Sequence, residues 1–237
     1  MKRLQKNELG LGHLLLILMV VVVAAVVGLV GWVVVRGNNN VTVDEAVQKT
    51  CLAEVKDTEF CKFAAHLNKI ENYKLTADVT ANSVKSSFVV TSSKDGNSQM
   101  VVSSGGQEVG DVVVFNSITY AKDPTDNAWI KYASSAANKP EIFDLKKEIG
   151  KDSFKGDKGQ KLEYKSLGEE TCGNLTCFKY QIIDPQMATA QTHLWFDTKN
   201  YLLRTLTSKD GESNAQFTMT YEAVSISQPS PVKQTVN

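Results

Sequence analysis

The sequence predicts an α+β fold: a long antiparallel series of roughly eleven strands, with helices at its start and one in its middle, preceded by a transmembrane helix. Two observations lead to this prediction. One is the uncharged run of 22 residues at 14–35, which at about 1.5 Å per residue spans roughly 33 Å, enough for a hydrocarbon core. The other is the alternation of apolar and polar residues that recurs between turn signals from residue 73 onward.

The apolar run sets the predicted topology. Lys2, Arg3 and Lys6 precede it, so the positive-inside tendency places the N-terminus in the cytoplasm and the main domain outside a plasma membrane that the chain crosses once. The predicted regions are a cytoplasmic tail at 1–13, a transmembrane helix at 14–35, a linker at 36–42, an extracytoplasmic domain at 43–228 and a disordered tail at 229–237.

Two alternatives exist for the apolar run. A cleaved signal peptide has an apolar region of about 7–15 residues that ends at a small-x-small site; this run is longer, and Val33 to Arg36 offers no such site. The segment also resembles the start of a type IV prepilin, with Gly10 before a long apolar helix. That family places a Glu five residues after the Gly, where this chain has Leu15. We therefore expect a retained anchor, and pilin-like assembly is less favoured.

Two helices are predicted directly after the linker. Thr42 and Glu45 have the spacing of a capping box, which begins a helix. Apolar residues then recur at helical spacing to about residue 72, with a break near Lys56 and Asp57. Thr58 is the expected cap of the second helix.

The strands follow from Tyr73, where the apolar period changes to two. The run YKLTADVTAN alternates throughout, which is typical of a strand with one buried face. Ten further runs are separated by turn signals such as Asp95-Gly96 and Asp210-Gly211. A helix starting at Pro140 and ending at Gly150 interrupts them. The last run, NAQFTMTYEAVSI, is expected to continue as a strand to Ile226.

Four cysteines lie beyond the predicted membrane span: Cys51, Cys61, Cys172 and Cys177. Three pairings are possible, and the local pairs close the shortest loops. Cys51 and Cys61 would join the two helices, whereas Cys172 and Cys177 would staple a hairpin. The alternative is a zinc site, but the spacing of the first pair does not fit the usual C-x2–4-C pattern. We predict two structural disulfides in an oxidising compartment.

The composition disfavours several function classes. The 26 basic and 26 acidic residues balance at a pI near 6.8, without the basic excess of a nucleic-acid-binding protein. The sequence has no nucleophile signature, paired-carboxylate motif, phosphate-binding loop or metal-ligand cluster. We interpret His193 near Asp197 as polar structure. The chain is therefore predicted to be non-catalytic, with no cofactor and no metal.

The distribution of aromatic residues suggests a binding role. They are spread over most of the predicted strands, and the run Leu194-Trp195-Phe196 is apolar on both faces of its strand. A large curved sheet has more apolar face than three short helices can cover, so its surplus face could line a hollow. The alternative is an ordinary filled core.

The layout from Tyr73 to Pro229 resembles the LolA-like family, which includes lipoprotein carriers of the Gram-negative periplasm, lipid-binding lipoproteins of mycobacteria and the sensor domain of an envelope-stress regulator. The segments that carry the resemblance are YKLTADVTAN after a helix, DNAWIKY, the hairpin YKSLGEETCGNLTCFKYQI, and HLWFDTKNYLLRTLTSKDGESNAQFTMTYEAVSISQP. In the last, Asp197 opens a turn and Arg204 follows on the next strand. The resemblance implies an unclosed half-barrel of antiparallel strands wrapped over helices, with an apolar cavity for acyl chains.

These observations predict a membrane-anchored extracytoplasmic carrier or sensor that binds a lipid or the acyl chain of a lipoprotein, with an envelope protein as a further partner. A tether of about seven residues reaches at most roughly 25 Å, which disfavours a shuttle across the envelope. The alternative is a structural or adhesive surface protein with a filled core. From the alternation along the strands, we predict that ten residues line the cavity: Leu75, Val79, Phe88, Val102, Val114, Trp129, Phe178, Trp195, Phe217 and Met219.

Overall fold

The computed structural model describes residues 43–67, 70–81, 83–133, 142, 160–187 and 189–236. The predicted cytoplasmic tail, transmembrane helix and linker, the capping residue Thr42 and the helix predicted between Pro140 and Gly150 lie outside these residues, apart from the single position 142. Two helices are described, α1 (Val43–Glu54) and α2 (Thr58–His66). Within the described ranges, neither helix has the length and apolar character needed to cross a bilayer.

The break between the helices lies where the sequence predicts it, but the cap is a different residue. Lys56 adopts a left-handed backbone conformation, with φ of 62°, which ends α1. Asp57 is extended, and its carboxylate accepts a hydrogen bond of 2.9 Å from the backbone N–H of Phe60. Thr58 is therefore the first helical residue, and its expected role as the cap is wrong. The preceding Asp already occupies the extended conformation that an N-cap requires.

Twelve strands are described, and they form one sheet. All eleven of the predicted strands are present, and the twelfth comes from the C-terminal tail. The strands are β1 (Tyr73–Ala81), β2 (Val84–Ser92), β3 (Ser98–Ser104), β4 (Gln107–Phe115), β5 (Ile118–Lys122), β6 (Trp129–Tyr132), β7 (Glu163–Cys172), β8 (Leu175–Ile183), β9 (Gln191–Asp197), β10 (Leu203–Asp210), β11 (Ser213–Thr220) and β12 (Val232–Val236).

The sheet is two meanders joined at their ends. Its order is β12-β6-β5-β4-β3-β2-β1-β11-β10-β9-β8-β7, so β1 to β6 form one half and β7 to β11 the other. The halves meet where β1 pairs antiparallel with β11. Among the described strands, β12 and β7 are the two edges and do not pair with each other. The structure therefore confirms the predicted α+β fold with an unclosed, mostly antiparallel sheet.

The C-terminal segment differs from both predictions made for it. Strand β11 ends at Thr220, so the continuation to Ile226 is wrong. Residues 229–237 were predicted to be disordered, yet Val232–Val236 form β12 and pair in parallel with β6. The tail has no apolar alternation that would predict a strand. Its backbone satisfies the free edge of β6, and such pairing does not depend on side-chain pattern.

Both predicted disulfides are confirmed. Cys51 and Cys61 join α1 to α2 with Cα atoms 5.4 Å apart, and Cys172 and Cys177 close the β7–β8 hairpin with Cα atoms 5.9 Å apart. The first bond makes the helices one covalently linked unit. That unit packs on one face of β7 to β11, hereafter the inner face, where Phe60 and Phe63 lie against aromatic side chains of the sheet.

Candidate functional site

The strand register defines the inner face of the whole sheet, because residues paired across neighbouring strands point to the same side. One such row starts beneath the helices and runs into the β1–β6 half. Its members are Tyr180, Leu194, Leu206, Phe217, Ala77, Phe88 and Val102. A second row starts at Met219 and continues through Leu75, Val90, Met100, Val112, Ala121 and Ile130. The inner face is thus a continuous apolar surface across both halves.

Eight of the ten predicted wall residues lie on this inner face. Five of them are buried in the core between sheet and helices: Leu75, Val79, Phe88, Phe217 and Met219. Val102 and Phe178 are partly buried against that core. Val114 is half-buried further along β4. The structure brings these eight together on one surface, and their role in binding stays a prediction.

The two tryptophans of the predicted wall lie on the opposite, outer face. Trp195 is in register with Lys179 and Thr205, and Trp129 is in register with Lys122. The indole N–H of Trp195 donates to the Glu170 carboxylate, and the Lys179 ammonium lies 4.9 Å from the ring centroid. The structure therefore does not bring Trp129 and Trp195 to the wall with the other eight.

The run Leu194-Trp195-Phe196 is apolar on both faces because each face has its own cover. Leu194 and Phe196 are fully buried, and Phe196 stacks on Phe63 of α2 with ring centroids 4.5 Å apart. Trp195 is covered by the polar groups of the outer face. Because three consecutive residues are apolar, the alternation of apolar and polar residues is lost here. The sequence alone therefore could not assign Trp195 to a face of the sheet.

The helix-covered half of the inner face is tightly packed. Phe60, Phe63, Tyr180 and Phe196 are each at most 2% exposed, and their rings lie 4.5–5.7 Å from their neighbours in this group. Such interiors have few voids larger than a water molecule. This half of the face is occupied by the protein's own side chains.

Polar contacts hold the helices on the packed half. The Tyr180 hydroxyl donates to the Asp57 carboxylate at 2.7 Å, and burial, followed by this carboxylate, raises the pKa of Tyr180 above its usual value. The Tyr201 hydroxyl donates to Glu59 at 2.5 Å. Hydrogen bonds from Lys62 and then Tyr201 lower the pKa of Glu59. The N-terminal turn of α2 is thereby pinned to β8 and to the segment before β10.

The turn between β9 and β10 is held by a buried ion pair. Asp197 is 2% exposed, and its carboxylate accepts hydrogen bonds from the backbone N–H of Asn200 at 2.6 Å and from Arg204 Nη2 at 2.9 Å. The Arg204 guanidinium also lies 5.0 Å from the ring centroid of Tyr221. These contacts hold the turn between β9 and β10 in place.

Beyond β1 and β2 the inner face is less completely buried along β3 and β6, although Val112 of β4 and Thr119 of β5 are buried. Met100, Val102 and Ile130 lie on it by register and are partly exposed, as is Tyr132. Met100, Ile130 and Tyr132 were not among the predicted wall residues. The period-two pattern of SQMVVSS and AWIKYA places each of them on a strand, but only the register shows that they share a face with Val102. We take the inner face of β3 to β6 as the candidate site, hereafter the open apolar face.

We also searched the described residues for a metal site and for a histidine placed for chemistry. Among them, no group of three or more His, Cys, Asp or Glu side chains is arranged to hold a metal ion. His193 lies on the outer face beside Trp195, with ring centroids 5.9 Å apart. Burial, and then the neighbouring Lys179, lower the pKa of His193.

Comparisons with known proteins found similar solved structures but no match in sequence. No family model matches the chain, and no curated protein matches it in sequence. Among solved structures, the lipoprotein LppX of Mycobacterium tuberculosis is similar at 11% identity and a TM-score of 0.46, over 78% of this chain and 100% of that one. LprF of Mycobacterium bovis is similar at 15% identity and a TM-score of 0.44, over 80% of this chain and 98% of that one.

A LolA superfamily protein of Nitrosomonas europaea is also similar, at 10% identity and a TM-score of 0.28, over 69% of this chain and 94% of that one. The family named from the sequence is thus also named among the structural matches. At these identities and TM-scores the likenesses carry no conclusion about function.

Proposed function

We propose that this chain is a membrane-anchored, extracytoplasmic, non-catalytic domain that binds an acyl chain of a lipid or lipoprotein along the open apolar face. The single observation that carries the proposal is a difference in burial along the inner face. Beneath the helices the inward side chains are almost fully buried, whereas along β3 and β6 they are half-buried. An apolar face that the chain covers incompletely is a place for an apolar ligand.

The chemistry of the open apolar face suits an acyl chain. Its inward residues by register are uncharged, including Met100, Val102, Val112 and Ile130. The neighbouring charged residues Asp111 and Lys131 alternate with them and point to the outer face. Each buried CH₂ contributes about 0.8 kcal/mol, so a chain of ten or more carbons binds without a charged anchor. The face therefore binds longer acyl chains more tightly than short ones, and it disfavours polar ligands.

The compartment follows from the disulfides and the apolar run at 14–35. Two disulfides are typical of proteins that fold in an oxidising environment. A retained span at 14–35 would keep the domain at the outer side of the membrane, where acyl chains are supplied. N-terminal sequencing of the membrane-extracted protein tests the anchor: an intact span is expected, and a mature form that starts after Ala25 or past Arg36 contradicts it.

A matched pair of variants tests the binding face. Val101 and Val102 are neighbours on β3, both half-buried, and lie on opposite faces of the sheet. The variants V101Q and V102Q, made in the full chain and extracted in a mild non-ionic detergent, share the same predicted anchor, so lipid held by the anchor is equal in both. Extraction and mass spectrometry of bound lipid should show a several-fold lower occupancy in V102Q than in V101Q or the wild type. Equal occupancy in all three contradicts the proposed site.

The packed half of the inner face supports one alternative, a structural or adhesive surface protein with a filled core. The near-complete burial of Phe60, Phe63, Tyr180 and Phe196 is what such a protein requires. The two functions differ in one measurement: a structural protein retains no stoichiometric lipid, and neither glutamine variant changes that.

A further inference from the structure

Strand β12 has an unusual place in the sheet. It is the C-terminal strand, it pairs in parallel with β6 where every other pairing among the described strands is antiparallel, and its register shifts between Val232 and Gln234. The segment that leads to it, residues 221–231, has no helix or strand. Pro229 is buried, whereas Val232 is 41% exposed. The segment is therefore buried at Pro229 and exposed where β12 begins.

One side chain fastens β12 to the rest of the sheet. The Lys233 ammonium lies 2.7 Å from the Asp123 carboxylate and 2.8 Å from that of Asp126. Both aspartates belong to the turn between β5 and β6. Asp123 accepts a hydrogen bond from the backbone N–H of Thr125, and Asp126 accepts one from that of Ala128. The carboxylates thus form a preset acceptor for a single cation, hereafter the Lys233 clip. All three side chains are partly exposed, so dissolved salt weakens the clip.

β12 pairs with β6, which is the last strand of the open apolar face. Ile130 and Tyr132 of β6 lie on the inner side, and β6 is the last strand of that half before β12. When β12 is paired, the apolar face is bounded at this edge by the backbone of β12. When β12 leaves, the β6 edge and the inner side chains beside it become accessible from the side.

We propose that β12 is a releasable strap that closes the β6 side of the open apolar face, and that the Lys233 clip is its latch. This rests on the proposed function, because it names the route by which the acyl chain enters and leaves. Release requires breaking the backbone pairing with β6 and the clip, a local opening of the kind that terminal elements undergo without global unfolding. The helix-covered half stays folded during this opening, because its buried aromatic contacts are not involved.

Hydrogen–deuterium exchange on the full chain tests the strap without any ligand. In Lys233→Met, amides of 129–132 and 232–236 should exchange about two- to thirtyfold faster than in the wild type, the range that two exposed ion pairs provide. Amides of 203–220 should not change. The matched control is Lys122→Met, which removes the exposed pair with Glu108 on the adjacent strand and leaves the clip intact. Raising NaCl should speed exchange of 129–132 in the wild type but not in Lys233→Met.

A second readout tests the gate. Release of a fluorescent fatty acid from the full chain should be faster in Lys233→Met than in Lys122→Met, with a smaller change in affinity, because opening speeds both entry and exit. Unchanged amide exchange in Lys233→Met overturns the strap whether or not lipid binds. Faster amide exchange with unaltered fatty-acid release overturns the gate. A wild type that binds no fatty acid at all overturns the proposed function, while the amide exchange still decides the strap.

Discussion

The contact between Asp57 and Tyr180 gives a prediction that separates two roles of one carboxylate. Asp57 caps α2 through the Phe60 N–H at 2.9 Å and accepts the Tyr180 hydroxyl at 2.7 Å. Asp57→Ala removes both bonds at once. Tyr180→Phe removes only the second, and Asp57→Asn retains an acceptor for each. The variants therefore separate two contributions to the free energy of unfolding: the cap of α2 and the hydrogen bond between α2 and the sheet.

The magnitudes follow from burial. Loss of the cap costs about 1 kcal/mol. The Tyr180 side chain is 2% exposed, and leaving a buried hydroxyl without its partner costs about 1–3 kcal/mol. We expect Asp57→Ala to lower the free energy of unfolding by about 2–4 kcal/mol, and Asp57→Asn by less than about 1 kcal/mol.

Urea unfolding of the full chain in a mild non-ionic detergent, followed by tryptophan fluorescence, measures these differences. The double variant D57A/Y180F decides the reasoning. Without Asp57, the buried Tyr180 hydroxyl has lost its acceptor and destabilises the folded state. Removing that hydroxyl should therefore leave the double variant no less stable than Asp57→Ala alone. A double variant whose loss equals the sum of the two single losses would refute the coupling between helix cap and sheet.

Three further predictions follow from other contacts. Peptide mapping without reduction should find Cys51 linked to Cys61, and replacing both by alanine should cost about 2–3 kcal/mol in the same urea assay; free thiols or bound zinc would contradict this. Arg204→Met leaves the buried Asp197 carboxylate unpaired and should cost about 3–5 kcal/mol, whereas a loss below about 1 kcal/mol would show that the pair is dispensable. His193 has a folded pKa below its unfolded value of about 6.5, so the unfolded chain binds the proton first and stability falls as the pH drops below about 6.5. His193→Gln should reduce that fall, and an unchanged pH profile would exclude His193 as its source.

Sequence pattern predicted the parts of the fold that local periodicity encodes. The eleven strands from YKLTADVTAN to NAQFTMTYEAVSI alternate in polarity or are bounded by turn residues, and each is present. The break at Lys56 was visible as a cluster of charged residues between two helical patterns. The disulfides followed from the short loops that local pairing closes.

The features that the sequence did not predict depend on partners distant along the chain. β12 has no pattern of its own and exists because β6 offers an unpaired edge and Asp123 and Asp126 hold Lys233. Trp195 was assigned to the wrong side because its apolar neighbours hide the alternation. Its true surroundings, Lys179 and Glu170, belong to β8 and β7.

The candidate site shows the same division. Alternation was enough to find Val102 and Val114, but not to tell a filled half from an open one. That difference arises where Phe60 and Phe63 dock on the β7–β11 half and leave β3 and β6 less covered. Met100, Ile130 and Tyr132 join the site only through register.

Photo-crosslinking with a diazirine fatty acid on the full chain tests the central claim most directly. After irradiation at saturating probe, digestion and mass spectrometry locate the labelled residues, with excess palmitate as competitor. The proposed function predicts labels that palmitate displaces within residues 98–115 and 129–132, and none within 191–219 beneath the helices. Labels confined to residues 14–35, or scattered over the outer face and unaffected by palmitate, would contradict it.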